Sequence, residues 1–139
     1  EIYEVEIGKG IIRREGKDVT LVAVSLMAHE SIKAADALAE EGIDVELIDL
    51  RSVKPIDAEL IVKSVVKTGR LVVADGGWKS FGLSAEIAAI AAEQAFAYLK
   101  APVKRLALPD CPAPASSVLE KAFYKNSQDI IEMVKQVIK

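Results

Sequence analysis

The stretch from Gly69 to Tyr98 constrains this chain more than any other, because a buried strand, a glycine elbow and a long helix follow one another without a spacer. Residues 70–74 are a short apolar run with β-branched members, bounded by Gly69 and Asp75, and read as an interior strand. Asp75, Gly76 and Gly77 break that run, since adjacent glycines reach backbone angles that other residues avoid. From Leu83 to Tyr98 the spacing is helical, with Leu83, Ile87, Ile90, Gln94 and Tyr98 interleaved with seven alanines. A helix apolar nearly all round is expected to be a core element rather than a surface one.

The flanking sequence repeats the same alternation. Residues 1–7 are expected to be a linker or an edge strand from a preceding domain, the more so because the chain opens on Glu1 and so reads as a piece of something longer. Two short strands are expected around Gly16, the second (19–25) apolar throughout and therefore central. A helix over 27–41 would bury Ile32, Ala35, Leu38 and Ala39 and end at Gly42. Residues 45–50 form the next strand. Asp57 caps a helix to about Lys67, with Leu60, Ile61, Ser64 and Val65 inward and Gly69 closing it. Residues 103–108 are the last strand, and Pro109, Pro112 and Pro114 keep the following segment irregular. Ser117 and Glu120 have capping-box spacing. Ser127 is expected to cap a final helix burying Ile130, Ile131, Val134, Val137 and Ile138. Strand–helix alternation with short loops predicts one α/β domain spanning 1–139: a three-layer αβα sandwich on a mostly parallel five-stranded sheet, with an antiparallel edge strand allowed.

Composition narrows the function classes. Half the residues are hydrophobic but only 5% aromatic, the mix of helices laid on a sheet. A net charge of −3 and no Lys/Arg run longer than two argue against a nucleic-acid partner. No apolar run approaches the ~20 residues of a membrane span. The lone Cys111 cannot form an internal disulfide, and among prolines it reads as a small buried hydrophobe.

Ligands of open sheets sit at the carboxyl ends of the strands. Those ends carry His29, Asp49, Arg51, Asp75, Gly76, Gly77 and Trp78. Each has a structural explanation beside the functional one. His29 opens a helix, where a neutral ring satisfied by backbone competes with a catalytic base. Asp49 and Arg51 fit a local ion pair or loop anchor. Asp75-Gly76-Gly77 joins a strand to a helix start that could hold an anion, but matches no dinucleotide or phosphate-loop fingerprint. Trp78 is a plug over the helix end or, with Phe81, an interface anchor. No pair or triad here amounts to an active site.

Three segments carry more than spacing: IGKGIIRREGKDVTLVAVS, IDVELIDLRSVKPID and TGRLVVADGGWKSFGLSAEIAA. They resemble the C-terminal domain of the β subunit of thiamine-diphosphate-dependent 2-oxoacid dehydrogenases, pyruvate dehydrogenase in particular, a domain shared with transketolases. The most specific parts are DLR with KPID, and GGW followed by FG and AEI. The resemblance implies an oxidoreductase parent that oxidatively decarboxylates a 2-oxo acid and passes the acyl group to a lipoyl acyltransferase. It implies partners in the dehydrogenase α subunit and a second β subunit, and a cytoplasmic location or the mitochondrial matrix of a eukaryote. Thiamine diphosphate with Mg would sit on other domains, leaving this one with no catalytic, cofactor or metal residues of its own and a role in assembly and docking. The resemblance implies an acid, common in related β subunits, just before the Ala-Pro step, where it would pair with an arginine of the acyltransferase's subunit-binding domain. Lys100 inverts that charge, so the usual docking contact is not expected here. The alternatives are the matching domain of a transketolase or 1-deoxy-D-xylulose 5-phosphate synthase, with His29 and Arg51 as sugar-phosphate contacts, and a stand-alone small-ligand module using the strand-end cleft.

Overall fold

A computed structural model describes residues 4–139. Residues 1–3 of the expected linker or edge strand lie outside the described residues, and residues 4–7 form no strand. Five strands, β1 (Ile11–Arg14), β2 (Val19–Ala23), β3 (Val45–Asp49), β4 (Leu71–Trp78) and β5 (Lys104–Leu108), make one sheet in the order β1-β3-β2-β4-β5. All neighbours are parallel except β1, which runs antiparallel along β3. Helices α1 (Leu26–Glu40), α2 (Ala58–Thr68), α3 (Leu83–Gln94), α4 (Ser117–Phe123) and α5 (Ser127–Ile138) complete the chain. This is the expected three-layer sandwich with its antiparallel edge.

The two-residue period of the central strands sorts the core into two halves. Leu21, Leu47, Val72 and Leu106 face α1 and α5, whereas Val22, Ile48 and Val73 face α2 and α3. Strands covered on both faces need continuous apolar runs, and β2 is buried at every position. Its one hydroxyl, Thr20, meets Ser64 at 2.7 Å and Thr68 at 2.8 Å, so the polar atoms of the β2–α2 contact satisfy one another. At the β3 margin Glu46 is buried and ion-paired with Lys67, which also reaches Glu15.

Several local expectations need correction. The alanine-rich helix is not buried all round: Ser84, Ile87, Ile90 and Ala91 face the sheet, while Ala89, Ala92 and Gln94 are exposed. It also stops at Gln94, and Phe96–Tyr98 form a separate 3₁₀ turn with Phe96 and Tyr98 exposed. Alanine gives an apolar pattern on whichever side it lies, so periodicity cannot tell its buried face from its open one. Ile32 is exposed on α1, where Ser31 and Ala34 take the inward positions. Asn126, not Ser127, caps α5, in a reciprocal box with Asp129. Ser116 precedes α4, and the expected Ser117–Glu120 box is not formed. Cys111 is exposed rather than buried.

Two outcomes test this packing. Ala91→Asp places an unpaired charge at a site with no solvent access and should cost about 3–5 kcal/mol, read as a lowered urea midpoint; an unchanged midpoint would reject the buried face. For Glu46, burial by itself raises the carboxyl, but hydrogen bonds from Lys67, Ser64 and the Gly16 backbone outweigh it and hold it below its ordinary 4.5. That stabilisation is complete above pH 4.5 and is lost as pH falls through the depressed value. Acid titration of Glu46→Gln should therefore show a shallower loss of stability below that pH than the parent sequence.

Candidate functional site

Strand β4 ends in a way the sequence only half discloses. The glycines do not break it: β4 runs on through Gly76 and Gly77 to Trp78, but its pairing with β5 skips from Ala74↔Leu106 to Trp78↔Leu108. Two extra residues on one strand make a bulge that turns Asp75 inward. Its buried carboxylate accepts the Gly77 N–H at 2.9 Å and the Ser84 N–H at 3.0 Å. Ser84 lies in the first turn of α3, so Asp75 caps that helix from the preceding strand. The helix end that could have held a phosphate is filled by the chain's own carboxylate.

From there residues 79–82 form a tightly held loop. Lys79 N–H donates to the Leu108 carbonyl at 2.9 Å. Ser80 donates to Asp110 through its N–H (3.1 Å) and hydroxyl (2.6 Å). Those two bonds, with weaker attraction from Lys79, hold the Asp110 carboxyl below its ordinary range. A Cβ on Gly82 would lie 2.0 Å from the Trp78 carbonyl oxygen, so only glycine closes the loop. Phe81 takes a φ of 56° and is fully exposed, and Trp78 is 61% exposed. Trp78 is therefore no plug over the helix end. Ala85, Ala88, Ala89 and Ala92 continue outward from Phe81 at three- and four-residue steps as far as Phe96, which is 74% exposed. Rigid aromatics at both ends of a small-residue stripe make an open apolar face.

The second feature is the crevice between β2 and β4, where the chain parts: β2 leads into α1 on one side of the sheet and β4 into α3 on the other. A cleft of about 350 Å³ lies there, lined by residues 24–27 leading into α1, by Asp75, Gly76 and Gly77 of the β4 bulge, and by Leu108, Tyr124 and Lys125. Ser25, between β2 and α1, has φ 56° and ψ −132°, a conformation that strains any residue with a Cβ. The remaining candidates do not converge on this cleft. His29 is exposed on the first turn of α1, outside its lining. Asp49 pairs with Arg13 of β1 (2.9 Å and 3.2 Å) rather than with the Arg51 side chain, whose residue contributes only its backbone N–H at 3.3 Å. Lys100 is exposed, its stem lying over Gly69 and its N–H bonded to the Gly69 carbonyl at 2.8 Å. Among the described residues no group of three or more His, Cys, Asp or Glu side chains is placed to hold a metal ion. Sequence reasoning missed the Asp75 cap and the Arg13–Asp49 pair, because their partners lie nine and 36 residues away.

The family model described as "Transketolase, C-terminal domain" matches residues 8–130. This chain belongs to the transketolase C-terminal domain family. It is 47% identical over 135 residues to the mitochondrial pyruvate dehydrogenase E1 component subunit beta of Dictyostelium discoideum, covering 97% of this domain and 38% of the relative. To the corresponding Bacillus subtilis (strain 168) subunit it is 40% identical over 138 residues, covering 99% and 42%. The domain thus spans about two-fifths of the curated relatives it matches. Among solved structures, one titled "Split gene transketolase, inactive beta4 tetramer" superposes with a TM-score of 0.87 at 31% identity, covering 98% of this domain and 44% of that chain. Among the described residues no helix is long and apolar enough to cross a membrane.

Two substitutions probe the site's construction. Asp75→Ala leaves the Ser84 and Gly77 N–H groups without their acceptor and should cost about 1–3 kcal/mol in urea unfolding. Ser25→Gly removes the strained Cβ and should raise stability by about 1 kcal/mol; a loss instead would mean the serine side chain stabilises its turn.

Proposed function

We propose that this domain is the C-terminal assembly domain of the β subunit of a 2-oxoacid dehydrogenase, with pyruvate as substrate of the parent. The observation that carries the reading is the open apolar face from Trp78 and Phe81 along the outer side of α3 to Phe96, held by a loop with no slack. Faces of this kind on a well-packed domain are interaction surfaces. Its occupants would be the dehydrogenase α subunit and a second β subunit, since the relatives are named E1 subunits and are more than twice this domain's length. The parent would oxidatively decarboxylate the 2-oxo acid and hand the acyl group to a lipoyl acyltransferase. Lys100 argues against docking through an acid at the position just before Ala101-Pro102.

Thiamine diphosphate with Mg would serve the parent from domains outside this chain. The strand-end residues here do not fit the diphosphate: the α3 N-terminus is occupied by the Asp75 carboxylate, which would repel it. The second reading, a transketolase's matching domain, draws on the structural neighbour. On either reading the compartment follows the parent, and mitochondrial and bacterial relatives both occur.

Calorimetry on this domain with thiamine diphosphate and Mg should give no binding heat; tight binding would overturn the assignment of the cofactor to other domains. In the full-length parent, Trp78→Ala with Phe81→Ala should shift the complex with the α subunit toward free subunits in light scattering, while an intact complex would remove this face from assembly. Assaying the parent with pyruvate and a lipoyl acceptor, against a sugar phosphate acceptor, separates the dehydrogenase reading from the transketolase one.

A further inference from the structure

Strand β5 is the open parallel edge of the sheet: beyond it no strand follows among the described residues. An open edge presents a row of backbone N–H and C=O groups suited to an added strand. Beside it Lys79, Val103, Lys104, Arg105, Met133 and Gln136 line a groove of about 380 Å³ between the strand and α5. Three of the six are cationic, and no carboxylate is among them. Arg105 donates from Nη1 to the Lys79 backbone carbonyl at 2.8 Å, which ties the 79–82 loop to the strand.

These cations have no carboxylate partner among the described residues. None of the ion pairs among the described residues involves Lys79, Lys104 or Arg105. Asp110, the one carboxylate that feels Lys79, makes no ion pair and accepts its two hydrogen bonds from Ser80. A chain of net charge −3 has acids enough to neutralise a local basic stripe, yet supplies none here. Lys100 adds a further exposed, unpaired cation at the start of the same segment, and the sequence from Ala95 to Pro109 contains no acid.

We propose that the β5 edge is a docking site for an acidic, extended segment of a partner protein, added to the sheet as a sixth strand. Backbone bonds along the outer edge of β5 supply the register, with Lys104 and Arg105 its more accessible residues and Leu106–Leu108 buried. Carboxylates on the incoming strand meet Lys79, Lys104 and Arg105. A second copy of the same edge is excluded as occupant by its own charge, because like charges directly opposed across strands repel. Nucleic acid is disfavoured by a surface that is acidic overall and by so short a basic stripe. The inference does not depend on which reaction the parent runs.

The test uses two fluorescent heptapeptides, one alternating glutamate with valine and isoleucine, the other with lysine in place of glutamate. Anisotropy with the full chain should show the acidic peptide binding at least tenfold tighter, weakening as salt rises. Hydrogen exchange should slow at β5 backbone amides when it binds, and a proline at the centre of the peptide should abolish the effect by removing a ladder donor. Lys79→Glu with Lys104→Glu should raise the Kd at least tenfold. Lys79→Gln with Lys104→Gln, which keeps the stems, should raise it at least threefold and decides the matter if the reversal disturbs folding. Equal binding of the two peptides, binding without protection of β5, or tighter binding of a single-stranded oligonucleotide would each overturn the proposal. The lysines would then only be guards against edge-to-edge pairing.

Discussion

The carboxylate of Asp75 is the point on which the functional end of this domain turns. It is withdrawn from water, which is costly for a charge unless donors replace the lost hydration. The donors are two backbone N–H groups, one two residues ahead and one in the first turn of α3. The positive end of the helix adds to them. Strand end and helix start are thereby joined through one side chain, and the residues between them have no freedom to rearrange. The bulge at Gly76 and Gly77 and the closure at Gly82 follow from this junction, because the chain must double back over Trp78 within four residues.

What the junction presents outward is as constrained as what it buries. Phe81 stands clear of the protein in a left-handed conformation that an unstructured loop would leave, so the surrounding hydrogen bonds to Leu108 and Asp110 must hold it there. Exposed aromatic area of this kind is what the proposed assembly would cover. The β2–β4 crevice differs from this face: its lining is mainly apolar, and its one carboxylate, Asp75, is already taken up by the Gly77 and Ser84 N–H groups.

The architecture was readable because the central strands are mostly apolar and buried and the helices have start or stop residues near their ends: Asp57 and Gly69 bracket α2 as expected. Where reading failed, the determining partner was distant or the pattern degenerate. Gly76 and Gly77 read as a break because glycine permits one, yet they form a bulge and the strand pairs with β5 again at Trp78. The alanines of α3 carry no signal of side, so a half-exposed helix passed for a buried one. Asp49 and Arg51 are near in sequence, but the geometry of the antiparallel edge brings Arg13 instead. Asn126 won the α5 cap over Ser127 because Asp129 closes the box from exactly three residues on, a signal that was present and outcompeted by a more familiar serine.

The two edges of the sheet are finished differently, and the difference is electrostatic. On the β1 side both arginines of the strand are spent, Arg13 on Asp49 and Arg14 on Asp36, and Lys67 binds Glu46 and Glu15. That edge is antiparallel and irregular in register, which further discourages an added strand. On the β5 side the strand is regular where it pairs with β4 over 72–74, and Lys79, Lys104 and Arg105 have no carboxylate partner among the described residues. A protein that only needed to keep its edges apart would gain as much from paired charges on both. Charge left unpaired on one edge alone costs self-repulsion within the fold, and an acidic strand laid against it removes that cost while completing the sheet.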